Sequence, residues 1–184
     1  MNADDLALFA VGTAVIVWLS RKPLRHPGSH GFYRFFAWEA ILILVVLNRS
    51  PWGEQPFSPH QSVSWVLMLS SIALVILGHR ALRQQGHASE ARGDGDLYAF
   101  EKTTTVVSTG IFAYIRHPMY TSLLALTWGA WFQAPTIVGV IVASAGSFFL
   151  LLTALADERE CQAFFGEPYK VYMARSKRFI PFIF

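Results

Sequence analysis

The densest group of residues capable of chemistry lies in residues 108–120, which read STGIFAYIRHPMY. Pro118 suits the first turn of a helix because its missing N–H is not needed there. The other first-turn N–H groups then provide a site for an anionic group. Arg116 precedes this turn, and His117 and Tyr120 are three residues apart, so they share one helix face. The pattern predicts a site for a carboxylate, with a helix end anchored at lipid headgroups as the alternative.

A second group of polar residues lies in residues 156–172, which read ADERECQAFFGEPYKVY. Asp157, Glu158 and Glu160 are predicted to end an apolar helix, where the helix dipole disfavours negative charge. Because local rules tend to be broken at functional sites, a carboxylate here is a candidate for binding ribose hydroxyls or an ammonium group. In the alternative, the acids form a solvated helix end that is paired with nearby cations: Arg159, Lys170 and Arg175.

Three further residues follow the acids. Gly166 occupies a position suited to capping a helix. Tyr169 and Tyr172 are three residues apart, which would place both either in a pocket or on the membrane interface.

Other classes of chemistry fit the sequence poorly. It has no GxGxxG motif, no phosphate-binding P-loop and no serine in a nucleophile-elbow pattern. The six histidines match no metal-binding motif, so no metal site is predicted. The single cysteine, Cys161, cannot form an internal disulfide and is interpreted as a small buried thiol. Basic residues alternate with apolar stretches rather than forming one basic face, which argues against nucleic-acid binding.

The elements that position these residues are predicted to be membrane helices. Apolar residues make up 53% of the chain and charged residues only 15%, against about 25% charged in soluble domains. The fold class is therefore an all-α integral membrane protein with about five transmembrane helices. The predicted spans are residues 3–19, 32–47, 62–77, 119–133 and 135–156. The last two are nearly adjacent and should form a tight hairpin, with small residues allowing close contact.

The 184 residues are predicted to form one membrane domain. Residues 1–80 hold three spans, 81–118 a cytoplasmic loop with the first motif, 119–156 the hairpin, and 157–184 a cytoplasmic tail that completes the site. Lys and Arg residues number four in residues 21–34, one in the next connector, five in residues 78–118, none between the last two spans and five in the tail. This bias predicts a multi-pass protein, of the bacterial inner-membrane type, with the N-terminus outside and the C-terminus in the cytoplasm.

Glu39 lies inside the second predicted span. An ionisable residue there is costly, so it should face protein or water rather than lipid. One interpretation is a contact to substrate or cofactor, with a positioning role alongside Asp157 and Glu158. The alternative is an interfacial carboxylate that pairs with Arg34 or another loop cation.

With both motifs in order, the sequence resembles the isoprenylcysteine carboxyl methyltransferase family. TVVSTGIFAYIRHPMY, an apolar hairpin and then DERECQAFFGEPYKVYMARSKRFIP carry the resemblance, which covers about residues 103–181. These are integral membrane enzymes that use S-adenosylmethionine, and the wider group includes phospholipid N-methyltransferases. The resemblance implies direct methyl transfer to a lipophilic acceptor, such as the carboxylate of an isoprenylcysteine-like compound, which enters from the lipid.

By position, the resemblance also implies a set of residues that contact the cofactor. They are Val106, Val107, Phe112, His117, Pro118, Met119, Tyr120 and a carboxylate at Asp157 or Glu158, next to Arg116.

The sequence departs from the family pattern at several positions. Phe112 replaces a tyrosine, Asp157 replaces the first glutamate of an acid pair, and Cys161 replaces a leucine. Thr153 stands where the eukaryotic prenylcysteine enzymes have a substrate-side arginine, which weakens the expectation of a prenylcysteine carboxylate.

Two other functions remain open at this level. The first is a membrane reductase of the sterol reductase type, in which basic residues would bind the 2′-phosphate of NADPH: Arg116, Lys177 and Arg178. The second is a non-catalytic membrane protein whose motifs only anchor helix ends.

Overall fold

A computed structural model describes residues 2–87 and 102–184 as six α-helices, without a β-strand in these two ranges. The helices are α1 (Ala3–Ser20), α2 (His30–Leu47), α3 (Pro59–Gln85), α4 (Pro118–Gln133), α5 (Ile137–Phe165) and α6 (Glu167–Arg175). Short 3₁₀ turns cover Pro23–Arg25 and Gly110–Ala113. The all-helical prediction is confirmed for the described residues. The predicted cytoplasmic loop, residues 81–118, lies partly outside them.

Four of these helices, α1, α2, α3 and α5, are long and apolar enough to cross a membrane. They coincide with four of the five predicted spans and support a membrane protein. The fifth, α4, has 16 residues, which is about 24 Å of helix against a hydrocarbon core of roughly 30 Å. The count of five spans and the orientation of the chain stay predictions.

Two helices continue beyond their predicted ends. α3 passes through His79 and Arg80 and ends at Gln85. α5 continues past Ala156 to Phe165, where Gly166 ends it with a φ of +65° and donates its N–H to the Gln162 carbonyl. The cap at Gly166 agrees with the sequence, but the prediction that the acids end the helix was wrong. They lie inside α5, because partners from other segments meet their charge.

Small residues bring the spans close together. α3 packs on α4, and α2 packs on α5, while α1 contacts mainly α2. A Cβ built at Gly129 would lie 2.9 Å from Met68 Cγ, and one at Gly146 would lie 3.1 Å from Ala40 Cβ. The α4–α5 turn is capped by the Thr136 side chain, which accepts the N–H of Gly139. The predicted hairpin is therefore present, and its small residues Gly129 and Gly146 make close contacts with α3 and α2.

A buried polar network closes the end of the bundle that holds the α4–α5 turn. Asn48 Nδ2 donates to the Ala130 carbonyl at 2.7 Å, and Gln133 Nε2 donates to Ser64 Oγ at 2.8 Å. Gln61 Nε2 donates to the Gln133 carbonyl at 3.2 Å. These bonds satisfy backbone carbonyls where helices end, which a low-dielectric environment requires.

The contact at Gly129 yields a stability prediction. Gly129→Val should lower the free energy of unfolding by about 1–3 kcal/mol, because the added methyl groups overpack the α3–α4 interface. Chemical unfolding in detergent, followed by circular dichroism, measures the change. Ala145→Val, at an exposed position of α5, is the control and should change little. Equal effects of the two substitutions would contradict the close packing at Gly129.

Candidate functional site

The two polar groups of the sequence meet because the chain after α6 pairs with the segment before α4. Arg116 N–H donates to the Lys177 carbonyl at 2.7 Å, and Lys177 N–H donates to the Tyr114 carbonyl at 3.1 Å. His117 N–H continues the ladder by donating to the Arg178 carbonyl at 3.2 Å. The first turn of α4 is thereby fixed beside the acids of α5.

Glu158 is the centre of an ion cluster at this junction. It is 3% exposed, and both its oxygens accept from Arg178, with Nε 3.1 Å from Oε1 and the terminal nitrogen 2.9 Å from Oε2. Arg116 Nε donates to Oε1 at 3.0 Å, and His117 Nε2 lies 3.2 Å from the same oxygen. Arg116 also donates to the carbonyls of Met173 and Ser176. Two segments of the chain, one before α4 and one after α6, therefore converge on one carboxylate of α5.

His117 connects this cluster to the second carboxylate. Its Nδ1 lies 3.4 Å from Asp157 Oδ2, and its ring stacks on Tyr120 with centroids 5.3 Å apart. Burial opposes a charge on the imidazole, but the hydrogen bonds and charges of Asp157 and Glu158 outweigh it and raise the pKa of His117. The imidazolium form is therefore favoured, and both of its nitrogens face carboxylates.

A partly enclosed cavity of about 730 Å³, including the solvent at its mouth, lies beside this cluster. Its walls combine the first turn of α4, one face of α5, two tyrosines of α6, and the segment that leads into α4. The Asp157 carboxylate is the acidic group among the lining residues, and the Cys161 thiol lies 3.5 Å from its Oδ1. Tyr172 OH donates to the Phe112 carbonyl at 2.8 Å, and burial raises the pKa of this hydroxyl.

Most of the residues expected at a cofactor site line this one cavity. They are Val106, Val107, Phe112, Arg116, His117, Pro118, Met119, Tyr120 and Asp157.

Two expected residues lie elsewhere. Glu158 is behind the cavity wall, where its oxygens are held by the cluster rather than directed at the cavity. Glu39 accepts a hydrogen bond from Thr13 Oγ1 at 2.9 Å, in the contact between α1 and α2, and its Oε1 is buried without a hydrogen bond. The hydrogen bonds described for Glu39 do not include one to Arg34, the partner suggested by the sequence.

Sequence reasoning missed the partners of the acids. It suggested Arg159, Lys170 and Arg175, whereas Lys170 pairs with Glu167 and the Glu158 partner from the tail is Arg178. The basic residues near position 178 were a signal in the sequence for this partner. Only the backbone hydrogen bonds to residues 114–117 identify Arg178 as the residue that reaches Glu158. The cavity is completed by side chains that are mostly apolar or hydroxylated: Leu82, Thr103, Thr105, Cys161, Phe165, Tyr169 and Tyr172.

Glu160 joins α5 to the start of α2. Its carboxylate lies 2.5 Å from His30 Nδ1 and accepts the His30 backbone N–H at 2.9 Å. With Asp157 nearby, the three residues place potential metal-ligand atoms within 4.8 Å of one another. The Glu160 carboxylate thus contacts both the side chain and the backbone N–H of His30 and caps the start of α2.

Comparison with known protein families gives a match that covers most of the residues of this site. A family model described as phospholipid methyltransferase matches residues 60–167, more than half of the chain. The match runs from α3 to the first residue of α6, so it includes the first turn of α4 and the acids of α5. No curated protein and no solved structure gave a match.

The buried charge of Glu158 can be tested by an isosteric change. Glu158→Gln should lower the free energy of unfolding by about 3–5 kcal/mol, because the buried charge of Glu158 is removed and two partly buried guanidinium groups lose their counter-charge. Glu167→Gln is the control, since its exposed pair with Lys170 contributes about 0–1 kcal/mol. Chemical unfolding in detergent measures both. A Glu158→Gln protein as stable as the control would contradict the cluster.

The raised pKa of His117 predicts a pH dependence. Its contribution to stability is complete below the ordinary His pKa of about 6.5 and is lost as pH rises through the higher value in the folded state. The wild-type unfolding midpoint should therefore fall more steeply above about pH 6.5 than that of His117→Gln. Thermal unfolding of the cofactor-free protein across this range measures the difference. Parallel curves would show that His117 does not carry the charge.

Proposed function

The chain belongs to the phospholipid methyltransferase family, and we propose that it transfers a methyl group from S-adenosylmethionine to a lipophilic acceptor. Methyltransferases of this family act on lipid-type substrates. The observation that carries the proposal is the cavity beside the ion cluster, which brings together most of the residues expected at a cofactor site. It combines the start of a helix, one carboxylate and aromatic walls.

The lining residues fit the chemical parts of this cofactor. Pro118 and Met119 belong to the first turn of α4, whose N-cap side chain makes no capping hydrogen bond, and a helix start of this kind attracts a carboxylate. Asp157 would accept hydrogen bonds from an ammonium group or from ribose hydroxyls. Phe165 and Tyr169, whose rings stack with centroids 6.2 Å apart, would hold an adenine ring.

The proposed reaction requires little acid–base chemistry from the protein. When bound, the cofactor supplies an electrophilic methyl group on a sulfonium. The residues around it would align the acceptor with that group and exclude water. A carboxylate or thiolate acceptor needs no general base. An amine acceptor would have to lose a proton, and Asp157 is the carboxylate among the lining residues. Glu39 is held in the α1–α2 contact instead.

The proposal also concerns the chemical class of the methyl acceptor. A prenylcysteine-like carboxylate would require a cation near the cavity in addition to Arg116 and His117, which face the acids of α5. Thr153, which stands at the arginine position of the prenylcysteine enzymes, is buried and donates its hydroxyl to the Phe149 carbonyl at 2.8 Å. Thr153 therefore offers no charge to such a substrate. We favour a lipophilic acceptor whose polar group need not be an anion.

A reductase that uses NADPH is the second candidate, and the ion cluster argues against it. The 2′-phosphate would need basic residues that are available to bind it. Arg116 and Arg178 are both engaged by Glu158, which leaves Lys177 of the three residues considered.

Calorimetric titration of the purified protein with S-adenosylmethionine, S-adenosylhomocysteine and NADPH tests the proposal. The adenosyl compounds should bind and NADPH should not. Asp157→Asn should weaken their binding by about ten- to a hundredfold, since a hydrogen bond to a charged group is lost. Glu167→Gln, outside the cavity, is the control.

The remaining outcomes decide between the alternatives. Binding of NADPH alone would replace the methyltransferase with a reductase. Absence of binding by all three, in protein with an intact unfolding transition, would favour a non-catalytic membrane protein.

A further inference from the structure

The segment after α6 ends in a closed loop, residues 179–184, called the tail loop here. The Phe184 carbonyl accepts the N–H groups of Phe179 at 2.7 Å and Ile180 at 2.6 Å. The Ile180 carbonyl accepts those of Ile183 at 3.2 Å and Phe184 at 3.1 Å. Pro181 has no N–H to satisfy. The loop therefore satisfies four of its five backbone N–H groups internally, which lowers the cost of placing them against lipid.

The tail loop presents large apolar side chains outward. Phe182 is 80% exposed, Ile183 75% and Ile180 49%. Tyr114, itself half exposed, packs edge-on against Phe182 with ring centroids 5.9 Å apart. Contiguous exposed apolar surface of this kind marks an interaction site in a folded protein.

The loop is fixed at the level of the first turns of α4. Phe179 is buried, its ring centroid lies 6.1 Å from that of His117, and its carbonyl accepts from Thr121 Oγ1 at 3.3 Å. Phe184 packs on Phe179 with centroids 6.0 Å apart. The exposed side chains of the loop are therefore held beside the α4 start rather than extended into solvent.

The bilayer should reach this level. α4 and α5 run antiparallel from one short turn, and α5 has no charged residue over residues 137–156. That length is about 30 Å of helix, which matches the hydrocarbon core, whereas α4 supplies only about 24 Å. The apolar layer therefore extends past the start of α4, where the tail loop continues the lipid-facing surface.

The charges around the loop suit a lipid surface. Arg175 and Lys177 are exposed and flank the loop on the α6 side. Basic residues at the edge of an inserted apolar surface attract anionic headgroups.

We propose that the tail loop and Tyr114 insert into the headgroup–acyl boundary of the leaflet on the cavity side, where Arg175 and Lys177 contact anionic lipid headgroups. The tail predicted to be cytoplasmic would then return to the membrane at residue 179. Because Arg178 immediately precedes the loop and binds Glu158, membrane insertion would hold one wall of the ion cluster in place. This inference rests on the membrane location of the helices and does not depend on the cofactor.

Spin labelling of the full chain in lipid nanodiscs tests the inference. Cys161, the only cysteine, is replaced by Ala, and a nitroxide is attached in Phe182→Cys. Collision rates with oxygen, which partitions into lipid, and with a water-soluble nickel chelate report the environment of the label. The matched control is Lys170→Cys in the same background, on the exposed surface of α6.

At position 182, oxygen collisions should exceed nickel collisions several-fold, with the reverse ratio at position 170. Ile183→Cys provides a second reading if the Phe182 variant is not recovered as a helical, monodisperse protein. Nickel accessibility at 182 and 183 equal to that at 170 would overturn the proposal.

Two further measurements separate the lipid from a second copy of the chain and test the headgroup contact. Strong dipolar coupling between labels at position 182, in discs that hold two chains, would show that protein covers the loop and would overturn the proposal. Replacing anionic lipid with neutral lipid should raise nickel accessibility at 182. The double variant Arg175→Gln/Lys177→Gln should abolish that response, and a response that persists in it would refute the headgroup contact.

Discussion

The buried carboxylate of Glu158 is the interaction on which the site depends. A charge taken out of water costs several kcal/mol unless partners surround it, and Glu158 is surrounded by Arg116, His117 and Arg178. These partners come from the segment before α4 and from the chain after α6. Satisfying one charge on α5 therefore requires both segments to be in place, which is the condition that shapes the cavity.

Two adjacent acids on α5 acquire different roles from this arrangement. Successive residues of a helix point about 100° apart, so Glu158 faces the tail while Asp157 faces the cavity. His117 lies between them, 3.4 Å from one carboxylate and 3.2 Å from the other. The imidazole thereby links the structural charge cluster to the carboxylate that is exposed to a ligand.

The membrane explains why the site lies at the end of the bundle. Within the spans, small residues such as Gly129 and Gly146 let the helices approach closely, and there is little room for a ligand. α4 is too short to cross a full hydrocarbon core, so its first turn, with Pro118 and Met119, is left near the boundary between lipid and water. In the proposed function, a cavity there would be open to a polar cofactor from one side and to a lipophilic acceptor from the other.

The sequence by itself determined the membrane class, the positions of the helices, the hairpin and the two motifs. Apolar runs and helix-breaking residues are local features, and a helix forms from hydrogen bonds within its own segment. Nine of the residues expected at a cofactor site were found by their place in a motif, and they line one cavity. The sequence did not predict where α3 and α5 end. A polar or charged residue in an apolar helix looks like the end of that helix when its partners are distant in the chain.

Only the tertiary structure decided which charges meet. Glu158 and Arg116 are 42 residues apart in the chain, and His30 and Glu160 are 130 apart, so no local pattern could pair them. The same holds for the tail loop, which the sequence predicts only as part of a cytoplasmic tail. Its role depends on where Phe179 packs against α4, because depth in a membrane is set by helix packing rather than by composition.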